Sequence, residues 1–120
     1  MYKLTSSDAM YIEEMIFYCN QVKEVMRQAE QKYSGSINDE LVIGSLTMSI
    51  SQIGEQLDSK KLSKELQEAY PNIKWSHIKR FRDLAYHHYG KINPKEVLDI
   101  YNYQIDPLID DLTAILNESN

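Results

Sequence analysis

The chain has 120 residues, 42% hydrophobic and 26% charged, with a formal net charge of −5, a length that suits one domain burying roughly two-thirds of its unfolded surface. With only 4 Gly and 3 Pro it lacks the turn residues of a β-architecture, and its acidic balance excludes a general nucleic-acid coat, whose footprint would be basic. No run approaches the roughly 18 apolar residues of a membrane span, residues 1–8 have no signal-peptide core, and Cys19 stands alone. These features predict a single all-α domain over 1–120, cytoplasmic, with Cys19 as a buried structural thiol.

Ser6, Ser7 and Asp8 offer N-cap side chains to a first helix in which Ile12, Met15, Cys19, Val22, Met26, Ala29 and Tyr33 recur at spacings of three and four. Gly35 suits the left-handed residue that ends it. A second helix, capped by Asn38 or Asp39, carries Val42, Leu46, Ile50, Ile53 and Leu57 on one stripe. Gly44 and Gly54 lie inside it, and each costs a helix roughly 1 kcal/mol relative to Ala, so the pair predicts close helix–helix approach. Glu55 beside the stripe is either a surface acid or the partner of an Arg from elsewhere. Ser59 is placed to cap a third helix over residues 60–69, stopped before Pro71.

A fourth helix over residues 74–90 is the chemical centre of the sequence. It holds the only Trp (Trp75), all three His (His77, His87 and His88), and between 74 and 91 five cations face the single acid Asp83. A local basic patch on an acidic body lets one site meet a polyanion while the remainder repels it. At 100° per residue, Ser76, Arg80, Asp83, His87 and Lys91 fall within about 80° of one another. Asp83 lies four residues before His87, where its carboxylate can accept from the imidazole. Arg82 falls about 140° from His87, among Trp75, Ile78, Ala85, Tyr86 and Tyr89. It is either a structural Arg paired with a carboxylate such as Glu55, or a cation reaching along a dimer seam toward His87. No metal-ligand cluster or Gly-rich phosphate loop accompanies these residues, and no metal or cofactor is expected.

Asn93, Pro94 and Glu96 supply an N-cap, a first-turn Pro and an acid at N3. The fifth helix that they start carries Val97, Tyr101, Ile105, Leu108, Leu112 and Ile115, and Pro107 predicts a kink because its nitrogen cannot donate to the Tyr103 carbonyl. The whole reads as a five-helix antiparallel up-and-down bundle.

Taken in order, Ile53-Gly54-Glu55, Trp75, Arg82-Asp83-x-x-x-His87-x-Tyr89 and Pro107 resemble the HEPN superfamily, specifically the HepT-type toxins encoded beside a minimal nucleotidyltransferase antitoxin. The resemblance covers most of the chain. It implies a HEPN-like bundle that forms a homodimer and acts as a metal-independent endoribonuclease, with Arg82 and His87 as the catalytic pair. Asp83, Arg80 and Glu55 would support them, and Lys79, Lys91 and His88 would attract the RNA backbone. It further implies silencing by the nucleotidyltransferase through AMP attached to a tyrosine, for which Tyr89 stands in the matching place and Tyr86 nearby. His88 replaces the small acidic residue often found between the motif His and Tyr, and Leu84 stands where some members carry another tyrosine. A different class of function fits the same residues, a non-catalytic subunit that holds a nucleotide or substrate for a nucleotidyltransferase.

Overall fold

The first helix starts where Thr5 can cap it. In the computed structural model, which describes residues 2–32, 40–86 and 93–118, Thr5 Oγ1 accepts from the Asp8 amide at 3.0 Å and the Thr5 carbonyl from the Ala9 amide at 2.9 Å. Helix α1 (Ser6–Lys32) follows. Ser6, Ser7 and Asp8, the caps expected from sequence, therefore lie within its first turn. Asp8 is engaged elsewhere, being buried and accepting from the Tyr2 hydroxyl at 2.6 Å and from both the amide and the hydroxyl of Ser63.

That last pair of bonds also resets the third helix. Ser63, anchored on Asp8, turns its Oγ to the Leu66 amide at 3.2 Å and caps α3 (Lys64–Ala69), so the helix begins at Lys64 rather than after Ser59. A buried acceptor 55 residues away outweighs the local capping preference of Ser59, whose hydroxyl donates to Asp58. The Trp75 indole N–H then donates to the carbonyls of Gln67 and Tyr70, at 3.1 and 3.0 Å, satisfying acceptors at the end of α3.

The α1 stripe is buried as its spacing predicts from Ile12 through Met15, Cys19, Val22 and Met26 to Ala29, while Tyr33, Gly35, Asn38 and Asp39 lie outside the described residues. It packs between α2 (Glu40–Glu55) and α7 (Ile105–Glu118), burying Leu46, Ile50 and Ile53 from one and Leu108, Leu112 and Ile115 from the other. Cys19 is fully buried, and burial pushes its thiol up to about 12, which leaves it an inert core group. Among the described residues every element is helical, and no helix is long and apolar enough to cross a membrane.

The fourth helix is not continuous. It runs as α4 (Trp75–Lys79), a 3₁₀ turn (Arg80–Arg82) and α5 (Asp83–Tyr86). Its buried positions explain the interruption: Trp75, Ile78, Phe81 and Leu84 recur every three residues. An α-helix loses about 60° at each such step and would carry Leu84 away from the side that buries Trp75. A 3₁₀ turn advances a full circle every three residues and keeps the stripe on the core.

The interruption is seated on Gly54. A Cβ there would lie 2.7 Å from the Ile78 carbonyl oxygen and 2.8 Å from the Arg82 nitrogen, both backbone atoms. Gly44 has nothing within 4 Å of the same position, so only one of the two glycines marks a close approach. Farther on, Asn93 Oδ1 accepts from the amides of Lys95 and Glu96 and starts α6 (Pro94–Tyr103) as predicted. At Gln104 the helix gives way to α7, with Pro107 in the new first turn. The expected kink is thus a one-residue interruption, and the apolar stripe continues across it through Val97, Ile100, Ile105 and Leu108, with Ile100 buried in place of the expected Tyr101, which is half-buried.

The two glycines should respond oppositely to a methyl group. Gly54→Ala is expected to cost about 1–3 kcal/mol through overpacking against backbone that cannot yield. Gly44→Ala is expected to gain about 0.5–1 kcal/mol from helix propensity. Urea denaturation followed by circular dichroism separates the two outcomes.

Asp8 links this packing to pH. Burial raises its carboxyl, but hydrogen bonds from Ser63, Tyr2 and Thr5 together outweigh burial and hold it below the usual value. A carboxyl lowered by folding contributes stability that is complete above its unfolded pKa and is lost as pH falls through the folded one. The stability gap between the wild type and Asp8→Asn is therefore expected to be widest near neutrality and to close as the pH falls below about 4, measured by denaturation midpoints across that range.

Candidate functional site

The C-terminal turn of α2 brings two carboxylates to one place. Asp58 follows Glu55 by three residues, and its amide donates to the Glu55 carbonyl at 3.1 Å in the turn that closes the helix. The last turn of α2 has no basic residue of its own. Arg82, delivered by the 3₁₀ turn, supplies the cation that a helix C-terminus favours. Its Nε lies 3.7 Å from Glu55 Oε2 and one terminal nitrogen 3.9 Å from Asp58 Oδ2.

These are ion-pair distances too long for hydrogen bonds. The Arg82 side chain keeps 32% of its surface exposed, and its guanidinium is steered by the charge of the two carboxylates without a hydrogen bond to either. Asp58 registers the arrangement: the Lys60 amide lowers its carboxyl most, desolvation works against this, and the Arg82 charge adds to the lowering. Of the two readings open for Arg82, the structure supplies the carboxylate partner of the first, Glu55, together with Asp58. The exposure that the second requires is also present.

The opposite side of the same segment forms a groove. His77 and Arg80, both exposed, stand on one wall. Arg80 Nε donates to the Ser76 carbonyl at 3.5 Å. The facing wall is α6 and its cap, with Asn93, Lys95, Glu96 and Asp99, and Phe81 and Ile100 contribute the apolar floor. The cavity measures about 510 Å³. A second hollow of about 290 Å³ shares His77, Phe81 and Gln104 with it and adds Lys74 and Tyr103, the latter 74% exposed.

The sequence-predicted residues divide accordingly. Arg82 and Glu55 come together, Arg80 lies on the groove side, Lys79 is exposed, and Asp83 is half-buried. Tyr86 closes α5. His87, His88, Tyr89 and Lys91 lie outside the described residues. Because the 3₁₀ turn advances about 120° per residue, an uninterrupted α-helical wheel does not describe how Ser76 and Arg80 stand relative to the residues after Arg82. Sequence reasoning missed Asp58, although its i+3 spacing from Glu55 placed it on the same face. It also read Glu96 only as a capping acid. Among the described residues no group of three or more His, Cys, Asp or Glu is arranged to hold a metal ion.

Against known proteins, residues 11–115 match the family model described as "Ribonuclease HepT-like". The chain belongs to the HepT-like ribonuclease family. No curated protein and no solved structure matches it. The matched region of this HepT-like chain includes Gly54, Arg82 and the entire fourth-helix segment.

The Arg82 pairing has a direct readout. Arg82→Gln is expected to move the Asp58 carboxyl upward toward its ordinary value without reaching it, because the Lys60 amide bond remains. A carboxyl-carbon NMR titration of the two proteins measures the change.

Proposed function

We propose that this chain is a metal-independent endoribonuclease toxin acting as a homodimer, with Arg82 and His87 as its catalytic pair. The observation that carries the reading is the family match spanning the Arg82–His87 segment. The geometry at Arg82 supports it: a phosphate oxygen needs N–H donors, and this guanidinium lies beyond hydrogen-bond range of both of its carboxylates.

The reaction follows from the two groups. An imidazole of His87 takes the proton from a ribose 2′-hydroxyl, the 2′-oxygen attacks the adjacent phosphorus, and the 5′-oxygen leaves with a proton from an imidazolium, the same residue of the second protomer. Arg82 holds the phosphate as negative charge gathers on its oxygens. Positioned acid–base groups of this kind are worth about 10² to 10⁴ in rate, in keeping with a cleavage that uses no metal. Glu55 and Asp58 orient the guanidinium, Asp83 supports the imidazole, and Lys79, Lys91 and His88 attract the RNA backbone.

In this reading a minimal nucleotidyltransferase silences the protein by transferring AMP to Tyr89 or Tyr86, which would add a bulky anion beside a site built for phosphate. The other role open to the sequence, a subunit that only holds a nucleotide for the transferase, has no cleavage step and is separated by the same assay.

Purified protein is expected to cleave RNA in EDTA with a bell-shaped pH profile, since one imidazole must be neutral and the other protonated. His87→Ala is expected to lower the rate at least a hundredfold with an unchanged circular dichroism spectrum. Full cleavage by the variant removes His87 from the mechanism, and a wild type that binds nucleotide but cleaves nothing favours the holding subunit. Co-expression with the transferase is expected to raise the intact mass by one or more AMP units.

A further inference from the structure

The groove between the fourth-helix segment and α6 has an unusual distribution of charge for a surface meant to receive a polyanion. Its basic wall carries Arg80 and His77, and its other wall carries Lys95 together with the acids Glu96 and Asp99. Asp99 is engaged by Lys95 at 2.8 Å. The exposed Glu96 carboxylate has no partner among the described residues. Beside Glu96 a phosphate meets like charge. A nucleobase does not, provided that it turns donors toward the carboxylate and acceptors toward the guanidinium.

Among the four RNA bases only guanine does both with paired atoms. Its N1–H and N2–H form a double donor edge that a carboxylate accepts, and its O6 and N7 form the acceptor pair that an Arg reads bidentately. Adenine and cytosine offer a carboxylate one amino group. Uracil offers a lone N3–H flanked by two carbonyls that repel it. The apolar floor at Phe81 and Ile100 suits a base face, and about 510 Å³ is within the range that accommodates a nucleotide-sized ligand. The neighbouring hollow, lined by Lys74 and Asp111, brings the exposed Tyr103, a ring for the next base.

We propose that this groove is a guanine-selecting subsite for single-stranded RNA, with Glu96 accepting from N1–H and N2–H and Arg80 donating to O6 and N7. The inference rests on the ribonuclease reading for its ligand, and goes beyond it in naming the base and the two side chains that select it. Arg82, on the α2 side of the segment, is not part of the groove.

The test uses the full chain and uncleavable 2′-O-methyl strands, a nonamer of U and the same strand with G at its centre, each fluorescently labelled for anisotropy. The ratio of the two affinities is the readout. The wild type is expected to bind the G strand about tenfold more tightly, a modest return for a bidentate base contact. Glu96→Gln and Arg80→Lys are each expected to bring the ratio close to one, the first by removing an acceptor, the second by replacing the guanidinium fork with a single ammonium.

Equal binding of both strands by the wild type overturns the proposal, as does a G preference that survives in both variants. If the wild type cleaves RNA yet shows no G preference, only the subsite falls. If it neither cleaves RNA nor binds either strand, the ribonuclease reading falls with it. Displacement of the G strand by guanosine 5′-monophosphate as effectively as by unlabelled G strand would make the groove a free-nucleotide site and overturn its assignment to RNA.

Discussion

The site depends on the absence of one side chain. At Gly54 the backbone of α2 meets the backbone of Ile78 and Arg82 at distances where no Cβ fits, and this approach allows a second helical segment to lie directly on the C-terminal end of α2. Everything that follows uses that proximity. Glu55, the next residue, reaches the guanidinium carried by the segment. Asp58, one turn later, approaches one of its terminal nitrogens. A larger residue at position 54 would move the segment bodily, and Arg82 with it, because protein interiors transmit such displacements rather than absorb them.

The 3₁₀ turn performs a second sorting. Arg80 and Arg82 are two residues apart and chemically identical, yet one lies on the α6 groove and the other lies against the end of α2. Their environments differ in consequence. Arg82 is steered by two carboxylates that lie beyond hydrogen-bond range and by a helix C-terminus. Arg80 is exposed and anchored only weakly through Ser76. A short basic segment thus presents cations in two directions, one toward the end of α2 and the other into the α6 groove.

The remainder of the molecule is a scaffold held by ordinary means. Asp8 ties the start of α1 to the cap of α3 through Ser63, Trp75 closes α3 from the far side, and a single core runs from Ile12 to Ile115. The ion pair between Lys23 and Asp106 bridges α1 and α7 at 2.8 Å, but both side chains are largely exposed and such pairs contribute little. The stability that positions the site comes from buried apolar stripes and from the few buried polar groups, all of which find partners among the described residues.

The amino-acid sequence by itself determined the all-helical class, the α1 stripe, the Asn93 cap and the family, because each is written in local periodicity or in residues at fixed spacing. It also carried the three-residue rhythm of Trp75, Ile78, Phe81 and Leu84, whose meaning as a 3₁₀ signal is lost when the segment is read with an α-helical wheel. Only the tertiary structure decided that Ser63 rather than Ser59 caps α3, that Gly54 rather than Gly44 receives a neighbouring backbone, and that Asp58 joins Glu55 at Arg82. Each of these turns on a partner remote in sequence, and a local preference of order 1 kcal/mol is overruled when a buried group from another element must be satisfied or accommodated.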